Sequence, residues 1–133
     1  MIFVDTPFWV ALRNRRDDHH AEATELLTDH ADESLVTTNH VLGETWTFLR
    51  RRAGHASAVA FLEALASSPR AEVHAVDGEV EDDAWQWLRR HDEQPYSFVD
   101  ATSFAVMRRL DLRRALTFDD DFRAAGFDVV RIR

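Results

Sequence analysis

The sequence predicts one α/β domain over residues 1–133, with a parallel β-sheet of four to five strands flanked by helices on both faces. Short strand-like runs alternate with stretches of helical periodicity, which is the pattern of a parallel sheet covered on both sides. The length of 133 residues suits a single domain. Neither an internal repeat nor a low-complexity linker divides the chain.

Each element predicted in the first half follows from a local signal. The runs "MIFV" and "LVTT" have the composition of buried strands. An acidic first turn, an Asn cap, a Gly stop and a proline delimit the helices around them. The elements are, in order, a strand over 1–4, a short helix opened by "DTP", a helix over 17–31, a strand over 35–38, a helix from Asn39 to Gly54 and a helix over 55–68.

The second half continues the alternation. "AEVHAV" alternates like a strand, and "GEVEDDAWQWLRRH" is amphipathic at helical spacing. The elements are, in order, a strand over 71–76, a helix over 78–91, a helix within 97–110, a strand over 114–118, one helical turn through Phe122 and Ala125, and a strand over 127–132.

Charge and composition exclude several classes of protein. The net charge of −8 argues against a nucleic-acid binder held by a broad basic surface. All 16 basic residues are arginine, so no mechanism can use a lysine amine, and the lack of cysteine excludes thiolate metal sites. No apolar run approaches the roughly 20 residues of a membrane span, and "MIFVDTPFW" lacks the features of a signal peptide. We therefore expect a cytoplasmic protein without membrane association.

Four carboxylates are expected at one edge of the sheet. They are Asp5 directly after the first strand, Glu44 early in the helix after the second strand, Asp100 in the first turn of the helix before "LTF", and Asp119 directly after "LTF". Open parallel sheets bind ligands outside the carboxyl ends of their strands. Right-handed crossovers would bring all four acids to that edge.

Each acid also has an explanation in local structure. Asp5 and Asp119 stand where Asp commonly caps a helix. Ser97 and Asp100 match the S/T-x-x-D/E form of a capping box, so Asp100 can both begin a helix and line a site. Glu44 can be a solvated helical residue, although its helix face is otherwise apolar. Local capping does not explain why four acids would converge.

Converging carboxylates repel one another, and a hard divalent cation relieves that repulsion. Mg²⁺ and Mn²⁺ prefer oxygen ligands and commonly bridge carboxylates to phosphate oxygens. Such ions activate water and stabilise the leaving oxygen in phosphodiester hydrolysis. A net-acidic protein can therefore act on nucleic acid through a bound cation.

The ordered set of motifs resembles the PIN-domain ribonucleases, and within them the VapC-type toxins of bacterial toxin–antitoxin pairs. The resemblance rests on "MIFVDT", the glutamate that ends "LVTTNHVLGE", "SFVDATSFAVM" and "ALTFDDDFRAAGF", and it extends over essentially the whole chain. The stretches "SFVDATSFAVMRR" and "ETWTFLRRR" are most similar to the group that cuts ribosomal RNA.

The resemblance implies a single-domain PIN-like fold and a metal-dependent endoribonuclease toxin that cleaves structured RNA, either tRNA or ribosomal RNA, to inhibit translation. It implies Mg²⁺ or Mn²⁺ as cofactor, a VapB-like antitoxin and a homodimer. By position, the catalytic and metal-binding residues are Asp5, Glu44, Asp100 and Asp119, with Asp121 as a further ligand candidate and Thr6 and Thr117 as supporting residues. Pro7 replaces the small polar residue usual in the family.

Arginine and histidine side chains offer further candidates. Arginine binds phosphate bidentately, so RNA contacts are predicted for Arg13, Arg15, Arg16, Arg50, Arg51 and Arg52; the alternative is that they are solvated cations at helix ends. The histidines lack a zinc motif such as H-E-x-x-H and are interpreted as solvated or core residues.

Three other functions compete with the nuclease. A non-catalytic PIN-like module that binds nucleic acid or protein would keep the acids for stability alone. A phosphoacceptor receiver domain shares an acidic strand-end cluster but needs a lysine. A haloacid-dehalogenase-like phosphatase needs a D-x-D pair and a lysine. The absence of lysine disfavours the last two.

Overall fold

A five-stranded, fully parallel sheet forms the centre of the computed structural model, which describes residues 1–132 and leaves Arg133 outside the described residues. The strands are β1 (Ile2–Val4), β2 (Leu35–Thr38), β3 (Ala71–His74), β4 (Arg114–Leu116) and β5 (Asp128–Val129). The helices are α1 (Thr6–Arg13), α2 (His20–Asp29), α3 (Asn39–Arg52), α4 (His55–Ser67), α5 (Gly78–Arg90), α6 (Phe98–Arg109) and α7 (Asp121–Ala124). The predicted α/β fold is confirmed.

The strand order β3-β2-β1-β4-β5 places the reversal of chain progression between β1 and β4. The register pairs Val4 with Leu116 at the carboxyl ends of these two strands. Because parallel crossovers are right-handed, α1 to α4 cover one face and α5 to α7 cover the other. A crevice at such a reversal is the usual ligand site of an open α/β sheet.

Phenylalanine side chains fill the core between the sheet and the helices α6 and α7. Phe104 of α6 meets Phe122 edge-to-face with ring centroids 4.9 Å apart, and Phe3 of β1 packs on Phe122 at 6.2 Å. Fully burying one such ring contributes about 1.5–3 kcal/mol. This packing holds β1, α6 and α7 together, the elements that contain or lie next to Asp5, Asp100 and Asp119 in the sequence.

Several predicted boundaries are wrong, among them the strand predicted over 114–118, which ends at Leu116. Three others have an identifiable reason. The strand predicted over 71–76 ends at His74, because the backbone N–H of Val76 donates to the Asn39 side chain at 2.8 Å. Asn39 is therefore not the cap of α3; Thr38 is, accepting from the Val41 N–H at 3.0 Å. The last strand covers only Asp128–Val129, because its partner β4 has three residues.

The second helix is also shorter than the predicted 17–31, beginning at His20. Asp17 stays outside it and accepts a hydrogen bond from the His19 N–H at 2.9 Å. Within residues 1–132, the helices all fall short of the length and apolarity that crossing a membrane requires.

Candidate active site

Asp5 lies immediately after β1 and is buried, with 1% of its surface exposed. It occupies the N-cap position of α1, but its side chain makes no capping hydrogen bond. Its Oδ2 accepts from the Thr117 hydroxyl at 3.1 Å, while Oδ1 is buried without a hydrogen-bond partner among the described residues. The capping explanation therefore fails for this side chain, which bonds to Thr117 instead of capping α1.

Asp100 both begins α6 and faces the same site. Ser97 accepts from the Asp100 N–H at 3.0 Å, and Asp100 Oδ2 accepts from the Ser97 N–H at 3.2 Å, which completes the predicted capping box. This reciprocal pair fixes the rotamer of a carboxylate that is 7% exposed. The two readings of Asp100, cap and site residue, are compatible.

Thr117 connects the ends of β1 and β4. Its hydroxyl donates to Asp5 and accepts from the Asp119 N–H at 3.1 Å. Asp119 Oδ1 in turn accepts from the Asp121 N–H at 3.0 Å, so that the turn after β4 holds this carboxylate toward the site. Asp121 lies at the edge of the same cavity.

Asp5, Asp100 and Asp119 each offer one carboxylate oxygen, and these oxygens lie within 4.8 Å of one another. Burial, followed by the negative charge of Asp100, raises the pKa of Asp5 well above its ordinary value, although bonds from Thr6 and Thr117 oppose the shift. Burial, opposed by the Ser97 N–H and aided by the charge of Asp119, raises the pKa of Asp100 to about 6. Burial and mutual repulsion therefore disfavour the ionised forms of Asp5 and Asp100 when no cation is bound.

Glu44 and Asp121 lie around this group of three rather than within it. Glu44, in α3, is half-buried on the wall of the cavity, and its charge contributes to the raised pKa of Asp5. Burial and the charge of Asp119 raise the pKa of Asp121. The structure therefore brings the four predicted acids to one cavity and three of them to direct proximity.

The residues present fit a hard divalent cation. Three converging carboxylate oxygens are the donor type that Mg²⁺ and Mn²⁺ prefer. The buried Asp5 Oδ1 lacks a hydrogen-bond partner within residues 1–132, and such an atom is costly unless a ligand satisfies it. A cation would also remove the mutual repulsion that, after burial, raises the pKa values of Asp5 and Asp100.

The supporting residues differ in what they contribute. Thr117 bonds directly to the cluster, as described above. The Thr6 backbone N–H lowers the pKa of Asp5, while the buried Thr6 hydroxyl has no partner among the described residues. Pro7 lines the cavity and lies in the first turn of α1. A helix tolerates a missing backbone N–H in its first turn.

The cavity above the acids measures about 410 Å³ and joins a basic depression. Four predicted arginines, together with Asn14, Ala53 and Ser57, line the depression of about 380 Å³; they are Arg13, Arg15, Arg16 and Arg52. Arg52 borders both spaces. Arg50 and Arg51 are exposed and border neither. The structure thus separates the six arginines into two groups.

The sequence did not identify the aromatic and imidazole side chains that line the cavity. These include Phe48, Phe118 and His19. The position of Phe118 directly before Asp119 was a usable signal. His19 lies at the cavity because of the path of the loop between α1 and α2, and the local sequence does not predict that path.

A family model of the PIN domain matches residues 2–128. Over 131 residues, 98% of each chain, this chain is 53% identical to the 23S rRNA-specific endonuclease VapC20 of Mycobacterium tuberculosis. It is 31% identical over 124 residues to a VapC ribonuclease of Archaeoglobus fulgidus, covering 90% of this chain and 77% of the relative. The chain belongs to the PIN-domain family, among the VapC-type proteins, as its motifs predicted.

Solved structures agree with this assignment. The crystal structure of M. tuberculosis VapC20, described as a toxin that cleaves the sarcin–ricin loop, has a TM-score of 0.94 at 51% identity and covers 99% of this chain and 100% of that one. VapBC2 of Rickettsia felis, solved bound to a promoter DNA fragment, has a TM-score of 0.68 at 15% identity over 98% of both chains. The second comparison shows a shared fold.

Proposed function

We propose that this protein is a divalent-metal-dependent endoribonuclease toxin that cleaves 23S ribosomal RNA within the sarcin–ricin loop. The observation that carries the chemistry is the group of three carboxylates within 4.8 Å at the reversal point of the sheet. The substrate follows from the 53% identity to VapC20 over 98% of both chains.

Asp5, Asp100 and Asp119 would hold the cation, and Glu44 would act from the wall of the cavity. Mg²⁺ or Mn²⁺ bound there would supply Lewis-acid activation of water and would neutralise charge on the scissile phosphodiester. Asp121, at the cavity edge, is the further candidate ligand.

The remaining work falls to groups that orient these carboxylates. Thr117 holds Asp5 and Asp119 in a fixed relation, and Ser97 fixes Asp100. Buried, hydrogen-bonded ligands need little reorganisation when the substrate arrives, which lowers the cost of reaching the transition state. No general base is assigned beyond the acids of the site.

Arg52, Arg13, Arg15 and Arg16 would bind phosphates on either side of the cleaved bond. The basic depression adjoins the acidic cavity through Arg52. Within residues 1–132, none of the four makes an ion pair, so no carboxylate neutralises their charge. Arg13 donates one hydrogen bond to the Ala60 carbonyl, and Arg52 lies over the Phe48 ring. A local basic track of this kind compensates for the net negative charge.

Mapping of RNA 5′ ends after induction of the protein in cells tests the substrate. The expected result is one dominant new 5′ end within the sarcin–ricin loop of 23S rRNA, accompanied by arrest of translation. New ends confined to tRNA would redirect the proposal to the other structured RNA that the family resemblance implies. The absence of new ends would favour the non-catalytic binding module.

The proposal includes two protein partners. The family resemblance implies a VapB-like antitoxin that covers the site and a homodimer of the toxin. Co-expression with the antitoxin reading frame next to this gene should suppress the growth arrest and yield a stable complex. Light scattering should give twice the chain mass of 15.3 kDa for the toxin alone. Cleavage of ribosomal RNA also requires a cytoplasmic location.

A further inference from the structure

We propose that the imidazole ring of His19 is a stacking platform that holds an unpaired nucleobase of the RNA beside the acidic cluster. The inference rests on the proposed endoribonuclease function and adds to it a residue that positions the substrate. Proteins that recognise structured RNA commonly bind unstacked bases on aromatic side chains. Such stacking tolerates any base, because every base offers a π-face.

The ring of His19 lies flat on the ring of Phe118. The two centroids are 4.3 Å apart and the planes differ by 9°. Both residues line the cavity above the acids, and Phe118 directly precedes Asp119. A base on the outer face of His19 would therefore lie in the cavity that the carboxylates line.

Phe118 is a rigid support for this stack. Its ring also stacks on the fully buried Phe8, with centroids 5.7 Å apart and planes 17° apart. The guanidinium of Arg131 lies 5.3 Å from the Phe118 ring centroid and is itself held by Glu22 through bonds of 2.7 and 3.0 Å. The support is thus anchored to the core and to α2.

The stack on Phe118 holds the His19 ring while part of the side chain stays exposed. Its backbone N–H bonds to Asp17, which shapes the loop, and 48% of its side chain is exposed although Phe118 covers one ring face. The Glu22 carboxylate oxygen lies 4.0 Å from Nδ1. An aromatic ring held in advance, with one face exposed in the cavity, loses little entropy when a base stacks on it.

A second histidine, His91, makes the same kind of stack at a distance from the candidate site. His91 lies on Trp87 with centroids 4.1 Å apart and planes 18° apart, and 35% of its side chain is exposed. It borders neither the acidic cavity nor the basic depression. His91→Ala is therefore a matched control for His19→Ala.

The first test measures binding of a fluorescent synthetic sarcin–ricin stem-loop RNA in an Asp100→Asn background, and KM and kcat for its cleavage in the wild-type background. His19→Ala should weaken binding and raise KM by about 5- to 100-fold, with a smaller effect on kcat. His19→Phe should restore both values, and His91→Ala should leave them unchanged. Melting temperatures confirm that the variants fold.

The second test replaces single nucleotides around the cleaved bond with abasic sites. At one position, the abasic RNA should bind the protein that keeps His19 more weakly than the intact RNA does. The His19→Ala variant should bind the abasic and the intact RNA with equal affinity. Provided that the wild type cleaves the RNA, any one of three results would overturn the proposed platform. They are equal affinities with and without His19, losses that add at every abasic site, and failure of His19→Phe to restore binding. Failure of the wild type to cleave the RNA would instead overturn the proposed function, and the platform with it.

Discussion

Thr117 determines how Asp5 and Asp119 behave as a pair. Among residues 1–132, the Thr117 hydroxyl is the only side-chain group that donates a hydrogen bond to Asp5. The same hydroxyl accepts a hydrogen bond from the backbone N–H of Asp119. The hydroxyl therefore lowers the pKa of Asp5 against the effect of burial. A buried carboxylate that keeps its charge binds a cation more readily, because fewer protons compete with the metal.

Thr117→Val is expected to lower affinity for Mg²⁺ or Mn²⁺ by about 10- to 100-fold, as loss of a bond to a metal ligand commonly does. Isothermal titration calorimetry measures the affinity. Thr45→Val is the matched control, because the Thr45 hydroxyl is buried but donates to the Val41 carbonyl of its own helix at 2.8 Å. Equal affinities in the two variants would contradict the role of Thr117.

Individual site residues differed in how far the sequence could predict them. Asp5 and Asp119 each follow a strand-like run directly, so the edge of the sheet was evident from local pattern. The capping box at Asp100 was predictable for the same reason. His19 was interpreted as solvated or core, since its contact with Phe118 joins residues far apart in sequence. The separation of Arg52 from Arg50 and Arg51 likewise depends on how α3 packs.

At the scale of elements, the start of α6 contributes both to the stability of the helix and to the orientation of a site residue. Ser97 caps α6 through the Asp100 N–H, and Asp77 caps α5 through the Val80 N–H, both at 3.0 Å. The two caps are alike as local structure. They differ because the capped residue of α6 is a member of the carboxylate cluster.

Ser97→Ala and Asp77→Ala should each lower the free energy of unfolding by about 1 kcal/mol. Ser97→Ala should in addition lower RNA cleavage by about tenfold or more, because Asp100 loses its fixed orientation. Urea denaturation and an RNA cleavage assay measure the two effects. Equal activities of the two variants would show that Ser97 acts only as a cap.

Element boundaries were less predictable than element order, because backbone donors can be claimed from distant parts of the chain. The Val76 N–H belongs to an alternating run, yet Asn39 accepts from it and the strand ends early. Asn39 looked like a cap from its neighbours in sequence, and Thr38 had the better geometry. Order and parallel topology followed from the alternation of strands and helices, which does not depend on such contacts.

For the whole molecule, the raised pKa values predict how stability changes with pH in the absence of metal. Asp100 has a pKa of about 6 in the folded protein, above its unfolded value of about 3.9. The folded state therefore binds more protons between these values, so stability should decrease as the pH rises from about 4 to 6. Glu33, whose pKa Arg114 lowers to about 2, has the opposite effect but acts at lower pH.

Urea denaturation in EDTA across this range measures the decrease. In Asp100→Asn, this decrease in the free energy of unfolding should be smaller by at most about 3 kcal/mol. Part of the decrease should remain in the variant, because the pKa of Asp5 is also raised. Saturating Mg²⁺ at pH 7 should raise the wild-type stability, since a cation binds the folded state preferentially. Stability that is constant or increasing from pH 4 to 6 would contradict the described electrostatics of the cluster.

The central claim is that the three clustered carboxylates support metal-dependent cleavage of RNA. Its most direct test is incubation of a synthetic sarcin–ricin stem-loop RNA with the purified wild type in Mg²⁺, the wild type in EDTA, and the Asp100→Asn variant in Mg²⁺. We expect a single cut by the wild type in Mg²⁺ and no cleavage above the buffer blank in the other two reactions, with Asp100→Asn still folded by circular dichroism. Full cleavage by the folded Asp100→Asn variant, or by the wild type in EDTA, would contradict the claim.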